Sequence, residues 1–266
     1  MRKAQARSVR YHPGPMTTLQ EITRFLNDEL RPGEIPDDPN AVNGLQLDSG
    51  RQDVQRLACA VDASKASIEA ACRLGAQLLL VHHGLLWGGN RPLSGPHGRK
   101  LARCFTAGLS VYSAHLPLDV HPIHGNNAGL VRALGLKPDG TFGKYQGIEI
   151  GLTASCDLEL DELSRRIRDA VGEHRLAGAG PKRIRRLGVI SGGGGSYVSA
   201  ASRAGLDALL TGEGAHYTAI DAEERGLHLI LAGHYRTETF GVKALGALLQ
   251  QKLGVDWSFV EHDTGL

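Results

Sequence analysis

Two adjacent histidines close the apolar run Leu78-Leu79-Leu80-Val81-His82-His83-Gly84. Burying two imidazoles requires partners for their polar nitrogens, and a divalent metal ion is one partner that can serve both. Within a regular strand neighbouring side chains point to opposite faces, whereas at a strand end both can turn inward, to one metal or to two. Gly84 is expected to free the backbone there for a sharp turn.

Three further segments place polar residues after apolar runs. Ala114-His115-Leu116-Pro117-Leu118-Asp119 supplies Asp119, a carboxylate suited to a hard or borderline divalent ion. In Gly233-His234-Tyr235-Arg236-Thr237-Glu238, His234 and Glu238 are four apart and share a helix face, so they can bind one centre or two neighbouring ones. Thr211-Gly212-Glu213-Gly214-Ala215-His216 adds Glu213, which fits a general base or an outer partner that orients a ligating imidazole. Each segment alone has a plainer reading: a turn-forming or capping Asp, an exposed i,i+4 pair, a solvated turn. Their common position beyond apolar strands groups them.

The candidate ligands are then His82, His83, Asp119, His234 and Glu238, with Glu213, His115 and His216 as candidates for proton transfer. Mixed nitrogen and oxygen donors suit zinc, manganese, iron, cobalt or nickel better than magnesium or calcium. Five ligands are one more than a tetrahedral site takes, which points to two bridged divalent ions. The glycine run Ser191-Gly192-Gly193-Gly194-Gly195-Ser196 lacks both the Gly-Lys-Ser/Thr ending and the Gly-x-Gly-x-x-Gly spacing of nucleotide loops. Its backbone amides could still hold an anion.

Strands and helices must carry these residues to one place. A capping box, Thr18-x-x-Glu21, predicts a helix over 18–30, followed by a loop rich in Pro and Asp over 32–40. Strands are then expected at 56–61, 77–81 and 109–114, alternating with helices at 64–74 and 98–107. The second half repeats the plan, with strands at 186–190, 207–210 and 227–231 and helices at 196–204 and 220–225. Such alternation implies parallel sheet covered on both faces. Residues 71–80 can be laid over 201–210 at a constant offset of 130, which sets His83 opposite Glu213. A strand at 148–153 and a helix at 158–171 join the halves, and a helix at 239–253 and a strand at 255–260 end the chain. The fold expected is α/β: two linked, similar α/β domains with mixed or parallel sheets flanked by helices, and the metal site between them. The divisions are 16–130 and 131–234, with 235–266 packing back on the first.

Of the 266 residues 41% are hydrophobic, enough for a real core, and no run of about 18 apolar residues could span a bilayer. Net charge is +2; setting aside Arg2, Lys3, Arg7 and Arg10 leaves 26 basic against 28 acidic residues, so the body carries no overall footprint for nucleic acid. The run Lys182-Arg183-Ile184-Arg185-Arg186 reads as a solvated edge. Cys59, Cys72, Cys104 and Cys156 are scattered without a Cys-x-x-Cys pair, indicating reduced thiols rather than a zinc ribbon or disulfide framework. Residues 1–15 read as a disordered extension, with Met16 as an alternative start. Their composition, rich in arginine and free of acids, also matches an organellar targeting peptide, but the compartment expected is the cytoplasm.

The segments Asn43-Gly44-Leu45-Gln46, Val81-His82-His83-Gly84, His115-Leu116-Pro117-Leu118-Asp119, Thr211-Gly212-Glu213 and Gly233-His234-Tyr235-x-x-Glu238 resemble those of the GTP cyclohydrolase I type 2 homologue family. These are also called Nif-three-like dinuclear metal-centre proteins. The resemblance runs from about residue 18 to the C-terminus. It implies two linked α/β domains, a dinuclear site held by His82, His83, Asp119, His234 and Glu238, and a ring-shaped homohexamer. Ala41-Val42 departs from the family, which more often carries an acidic residue and Asn there, and a long insert found between the halves of some members is absent.

Two functions follow as expectations. One is a metal-dependent hydrolase that uses metal-activated water on a purine nucleotide or another phosphorylated small molecule. The alternative is a ring-shaped metal-binding scaffold that holds nucleic acid or a protein partner.

Overall fold

Thr18 starts the first helix as its sequence predicts. Its hydroxyl accepts a bond from the Glu21 amide at 3.2 Å, and the Glu21 carboxylate accepts one from the Thr18 amide at 2.8 Å. Leu19, Ile22, Leu26 and Leu30, spaced three or four apart, are all buried. The computed structural model describes residues 17–89 and 91–265; the predicted extension and Met16 lie outside the described residues.

The elements follow in chain order. The first half holds β1 (Thr17–Thr18), α1 (Leu19–Leu30), β2 (Gly44–Leu47), β3 (Asp53–Val54), β4 (Arg56–Asp62), α2 (Lys65–Arg73), β5 (Leu78–His83), α3 (Gly95–Ala107), β6 (Ser110–Ser113), α4 (Leu116–Asp119) and α5 (Asn126–Ala133). Next come β7 (Gly140–Tyr145), β8 (Ile148–Glu159), α6 (Leu160–Val171), β9 (Arg175–Gly178), β10 (Arg183–Ile190), a 3₁₀ turn (Gly194–Tyr197), α7 (Val198–Arg203), β11 (Ala208–Thr211), α8 (His216–Glu224) and β12 (His228–Leu231). The chain ends with α9 (His234–Thr237), α10 (Thr239–Leu253) and β13 (Asp256–Phe259).

Beside a two-stranded antiparallel ladder of β1 and β3, there are two larger sheets, one of order β13-β4-β5-β6-β2 and the other β7-β8-β10-β11-β12-β9. Each contains a parallel triplet, β4-β5-β6 or β10-β11-β12, with an antiparallel strand on the outer edge of its third member. The sheets are therefore mixed, with helices on their faces. Alternation along β5 shows how both faces are filled. Leu78 and Leu80 pack with Ile22 and Leu26 of α1 and Leu245 and Leu249 of α10, while Leu79 and Val81 pack with Ile68, Ala71 and Cys104 beneath α2 and α3. Helix α10 and β13 thus return to the first sheet, where β13 pairs parallel with β4.

The offset of 130 seen in sequence recurs in the hydrogen bonds. Leu57 of β4 is level with Leu78 of β5, and Leu187 of β10 with Ala208 of β11. The Gln77 side-chain oxygen accepts the amides of Gln55 and Arg56; the Asp207 carboxylate accepts those of Arg185 and Arg186. The Arg56 guanidinium donates to Leu74 O, and that of Arg186 to Ala204 O. Unrelated β-α-β units have no reason to share side-chain bonds at one fixed offset, so the halves are structurally equivalent over this stretch.

Three expectations need correction. Strand β5 does not stop at Val81 but continues through His83, because His83 stays level with Asp62 of β4. Strand β8 runs twelve residues rather than six, since it pairs with β7 on one side and β10 on the other, and α6 starts later in consequence. Gly84 has an ordinary φ; what the site requires is space, for a Cβ there would sit 2.3 Å from the Gln46 amide.

Candidate metal centre

Four imidazoles converge where the C-terminal ends of the two parallel triplets meet, and each is oriented by an oxygen acceptor at Nδ1. His82 donates to Ala114 O at 2.8 Å, His83 to Asp62 at 2.9 Å, His115 to Asp37 at 2.7 Å and His234 to Glu213 at 3.0 Å. An oxygen partner at Nδ1 fixes the proton there and leaves the Nε2 lone pair facing inward, the tautomer a metal ligand needs.

The inward atoms surround Glu238, a side chain only 3% exposed at the start of α10. Its Oε1 lies 3.5 Å from His82 Nε2 and 3.1 Å from His234 Nε2, and its Oε2 lies 3.6 Å from His83 Nε2. Asp119 adds Oδ2 at 3.5 Å from His82 Nε2. The other Asp119 oxygen is held by Asn126 Nδ2 at 2.8 Å and by Ser191 Oγ at 3.0 Å, one donor from each half. His82 Nε2 and Glu238 Oε2 are buried without any hydrogen bond.

Apart from the 3.1 Å between His234 and Glu238, these separations are too long for strong hydrogen bonds, and all of them suit co-ligands. Two donors on one tetrahedral ion, each about 2.1 Å from it, stand about 3.4 Å apart. The ligand atoms of His82, His83 and His115, and those of His83, His234 and Glu238, each lie within 4.8 Å of one another. The residues therefore fit a divalent cation.

Electrostatics point the same way. Burial alone would lower the His82 pKa, but Asp119 and Glu238 outweigh it and push it up to about 10. His234 is raised to about 9, burial being overcome by Glu238 and Glu213. The Glu238 carboxyl would be raised by burial, yet His82, His234 and His83 hold it far below the usual range. Without metal, protons take the cation's place between imidazole and carboxylate, and an entering ion must displace them.

The five predicted ligands thus come together, and two of the three residues predicted to move protons take definite places. Glu213 is the partner that orients His234, the second of the roles its sequence allowed. His115 stands among the imidazoles, its ring 4.9 Å from that of His82. His216, in contrast, is exposed at the first residue of α8 and lines none of the cavities around the cluster.

Sequence reading missed Asp37, Asp62, Asn126 and Trp87. Asp62 had a signal, since it ends the strand beside His83; Asp37 had none, lying 78 residues from the histidine it holds. Burial would raise the Asp37 pKa, but His115, Asn43 and the Leu116 amide hold it below the usual carboxylate range. Asn43 itself accepts the His115 amide at 2.7 Å, which explains its place in the motif. Asp62→Asn, which keeps the shape but weakens the grip on His83, is expected to cost about 10- to 100-fold in metal affinity. Competition with a chromophoric chelator measures it, and unchanged affinity would remove Asp62 from the account.

Comparison with known proteins identifies the family. Residues 17–264 match the family model for Duf34/NIF3 (NGG1p interacting factor 3). A Deinococcus radiodurans protein named GTP cyclohydrolase 1 type 2 homolog is 43% identical over 249 residues, covering 92% of this chain and 94% of that one. A protein of the same name from Archaeoglobus fulgidus is 38% identical, covering 93% and 99%. Among solved structures, TTHA1606 from Thermus thermophilus superposes with a TM-score of 0.85 at 37% identity, over 94% of this chain and all of that one. The protein ybgI, described as of unknown function, gives 0.86 at 34% identity over the same shares. Matched from Thr17 almost to its end, the chain belongs to the Duf34/NIF3 family.

Proposed function

We propose that His82, His83, Asp119, His234 and Glu238 hold two divalent ions, and that the chain is a metal-dependent hydrolase of a nucleotide or phosphorylated small molecule. The observation that carries this reading is Glu238: a buried carboxylate whose two oxygens face different imidazoles, His82 and His234 on one side and His83 on the other. When bound, two such ions would activate water as a nucleophile and act as Lewis acids. Nitrogen and oxygen donors make zinc, manganese, iron, cobalt and nickel the candidates.

The chain's own residues then have separate tasks. Glu238 keeps two ligand sets together. Asp119, clamped by Asn126 and Ser191, cannot swing away. His115, with Nδ1 committed to Asp37, has Nε2 left to take or release a proton. Glu213 is half exposed and already engaged by His234, so its task is orientation rather than proton transfer. The name shared by the relatives supports a nucleotide substrate, and the resemblance supports assembly as a homohexamer.

For the scaffold alternative, two of the four cations in the basic run near residue 183 are already engaged within the chain. Arg183 pairs with Asp157 and Glu159, and the Arg186 guanidinium is bound to a backbone carbonyl. No helix among the described residues is long and apolar enough to cross a membrane.

Incubating metal-loaded and chelator-stripped protein with GTP and a broad panel of nucleotides and phosphoesters tests the hydrolase. Consumption of at least one compound by the loaded form alone is the expected outcome. A panel left intact by fully loaded protein would count decisively against catalysis.

A further inference from the structure

Beside the cluster, between the two halves, lies a cavity of about 290 Å³ bordered by His83, His115, His234 and Glu238. Aromatic and aliphatic side chains form part of its remaining walls, beside carboxylates and the polar Asn127 and Ser191. Trp87 comes from the first half, its ring centroid 4.5 Å from His115 and 5.1 Å from His83; Tyr145 and Tyr197 come from the second. Leu116, Ile150 and Ile190 extend the apolar core of the second half to the cavity wall. The Tyr197 ring is held in place by β7, where a Cβ on Gly143 would come within 2.9 Å of it.

Charge narrows what can enter. Asp37, Asp38, Asp119 and Glu238 all line the cavity, whereas no lysine or arginine does among the described residues. Two divalent ions would only balance four carboxylates. No positive surplus would remain for a polyphosphate, which proteins ordinarily meet with arginine, lysine or a helix N-terminus, and in the glycine run at the cavity wall the amides of Ser191, Gly192, Gly194 and Gly195 are already bonded to Asn127, Thr237, Thr211 and Glu213. The volume lies at the bottom of the range of roughly 300–1,000 Å³ for ligand pockets, which suits one ring system.

We infer that this cavity takes a flat, uncharged aromatic ring of the nucleobase class, facing the metal centre, and that Trp87 and Tyr197 select it while the substrate's phosphate stays outside. The inference rests on the proposed metal centre and deepens it: the ring, not a phosphoester, is presented to the reacting side.

Titration calorimetry of the metal-loaded protein with guanosine and with ribose 5-phosphate tests it. Guanosine should bind saturably, and ribose 5-phosphate should neither bind nor displace it. Stacking on an aromatic side chain makes Trp87→Leu weaken guanosine about 5- to 150-fold, while Trp87→Phe, which keeps a ring, should stay within about threefold of the parent. Metal content should be equal in all three proteins. The inference is overturned if guanosine does not bind, if ribose 5-phosphate competes with it, or if Trp87→Leu binds as the parent does. Because binding and not turnover is read, a protein that binds guanosine and hydrolyses nothing would sink the hydrolase while leaving the pocket standing. Phosphoester turnover with no affinity for guanosine would do the reverse.

Discussion

Glu238→Gln is expected to abolish metal retention at both positions. The substitution keeps the side chain's shape and removes the charge that two ligand sets share. Its amide would also turn a donor toward His82 Nε2 or His83 Nε2, where an acceptor now lies at 3.5 or 3.6 Å. Changing a group that merely orients a ligand costs about 10- to 100-fold in affinity, so loss of a shared ligand should exceed about 100-fold. Elemental analysis after gel filtration reads the result directly, with circular dichroism to show that the fold is kept. Retention of one full equivalent would show that Glu238 serves one ion only.

Gly192→Ala should have nearly as large an effect, through geometry alone. Gly192 has φ +62, and a Cβ there would stand 2.1 Å from Glu238 Oε1 and 3.2 Å from His234 Nε2. The backbone cannot yield easily. Its amide donates to Thr237 Oγ1, and its carbonyl accepts from Gly212, Glu213 and the Thr211 hydroxyl. Glu238 must therefore move, and metal affinity is expected to fall at least tenfold. Left-handed backbone adds about 1–2 kcal/mol of destabilisation for a residue bearing a Cβ. Gly226→Ala separates the two effects, because Gly226 has φ +65 and nothing within 4 Å of the added atom. That variant should lose only the backbone component in urea unfolding and keep its metal. Equal metal content in both alanine variants would contradict the argument.

Much of this cluster was legible because its candidate ligands follow buried strands in recognisable order. His82-His83 ends an apolar run, and the four-residue spacing of His234 and Glu238 became a 3.1 Å contact. Helix α10 was predicted to its observed ends, since one apolar segment bounded by Glu238 and Gly254 fixes both termini. Most hidden were the groups that aim the ligands. Asp37 lies in a loop, Asn126 and Ser191 reach Asp119 from 7 and 72 residues away, and no local pattern records such distances. Edge strands β2, β7 and β9 were not assigned as strands because each is short or half exposed, so little apolar alternation marks it. The role of Gly84 was misread for a related reason: the need for space comes from Gln46, a tertiary neighbour.

Val42 marks where the departure from the family motif falls. It adopts φ +43, a conformation costly for a β-branched side chain and easier for the Asn that the motif more often carries. Nothing in the ligand set depends on it.

The central claim is that two ions share Glu238. Anomalous diffraction from crystals of the metal-loaded protein, collected on both sides of the metal's absorption edge, tests it most directly. The expected map has two peaks flanking the Glu238 carboxylate, one on the Oε1 side toward His82, Asp119 and His234 and the other on the Oε2 side toward His83. A single peak, or ions bound away from Glu238, would contradict the dinuclear centre.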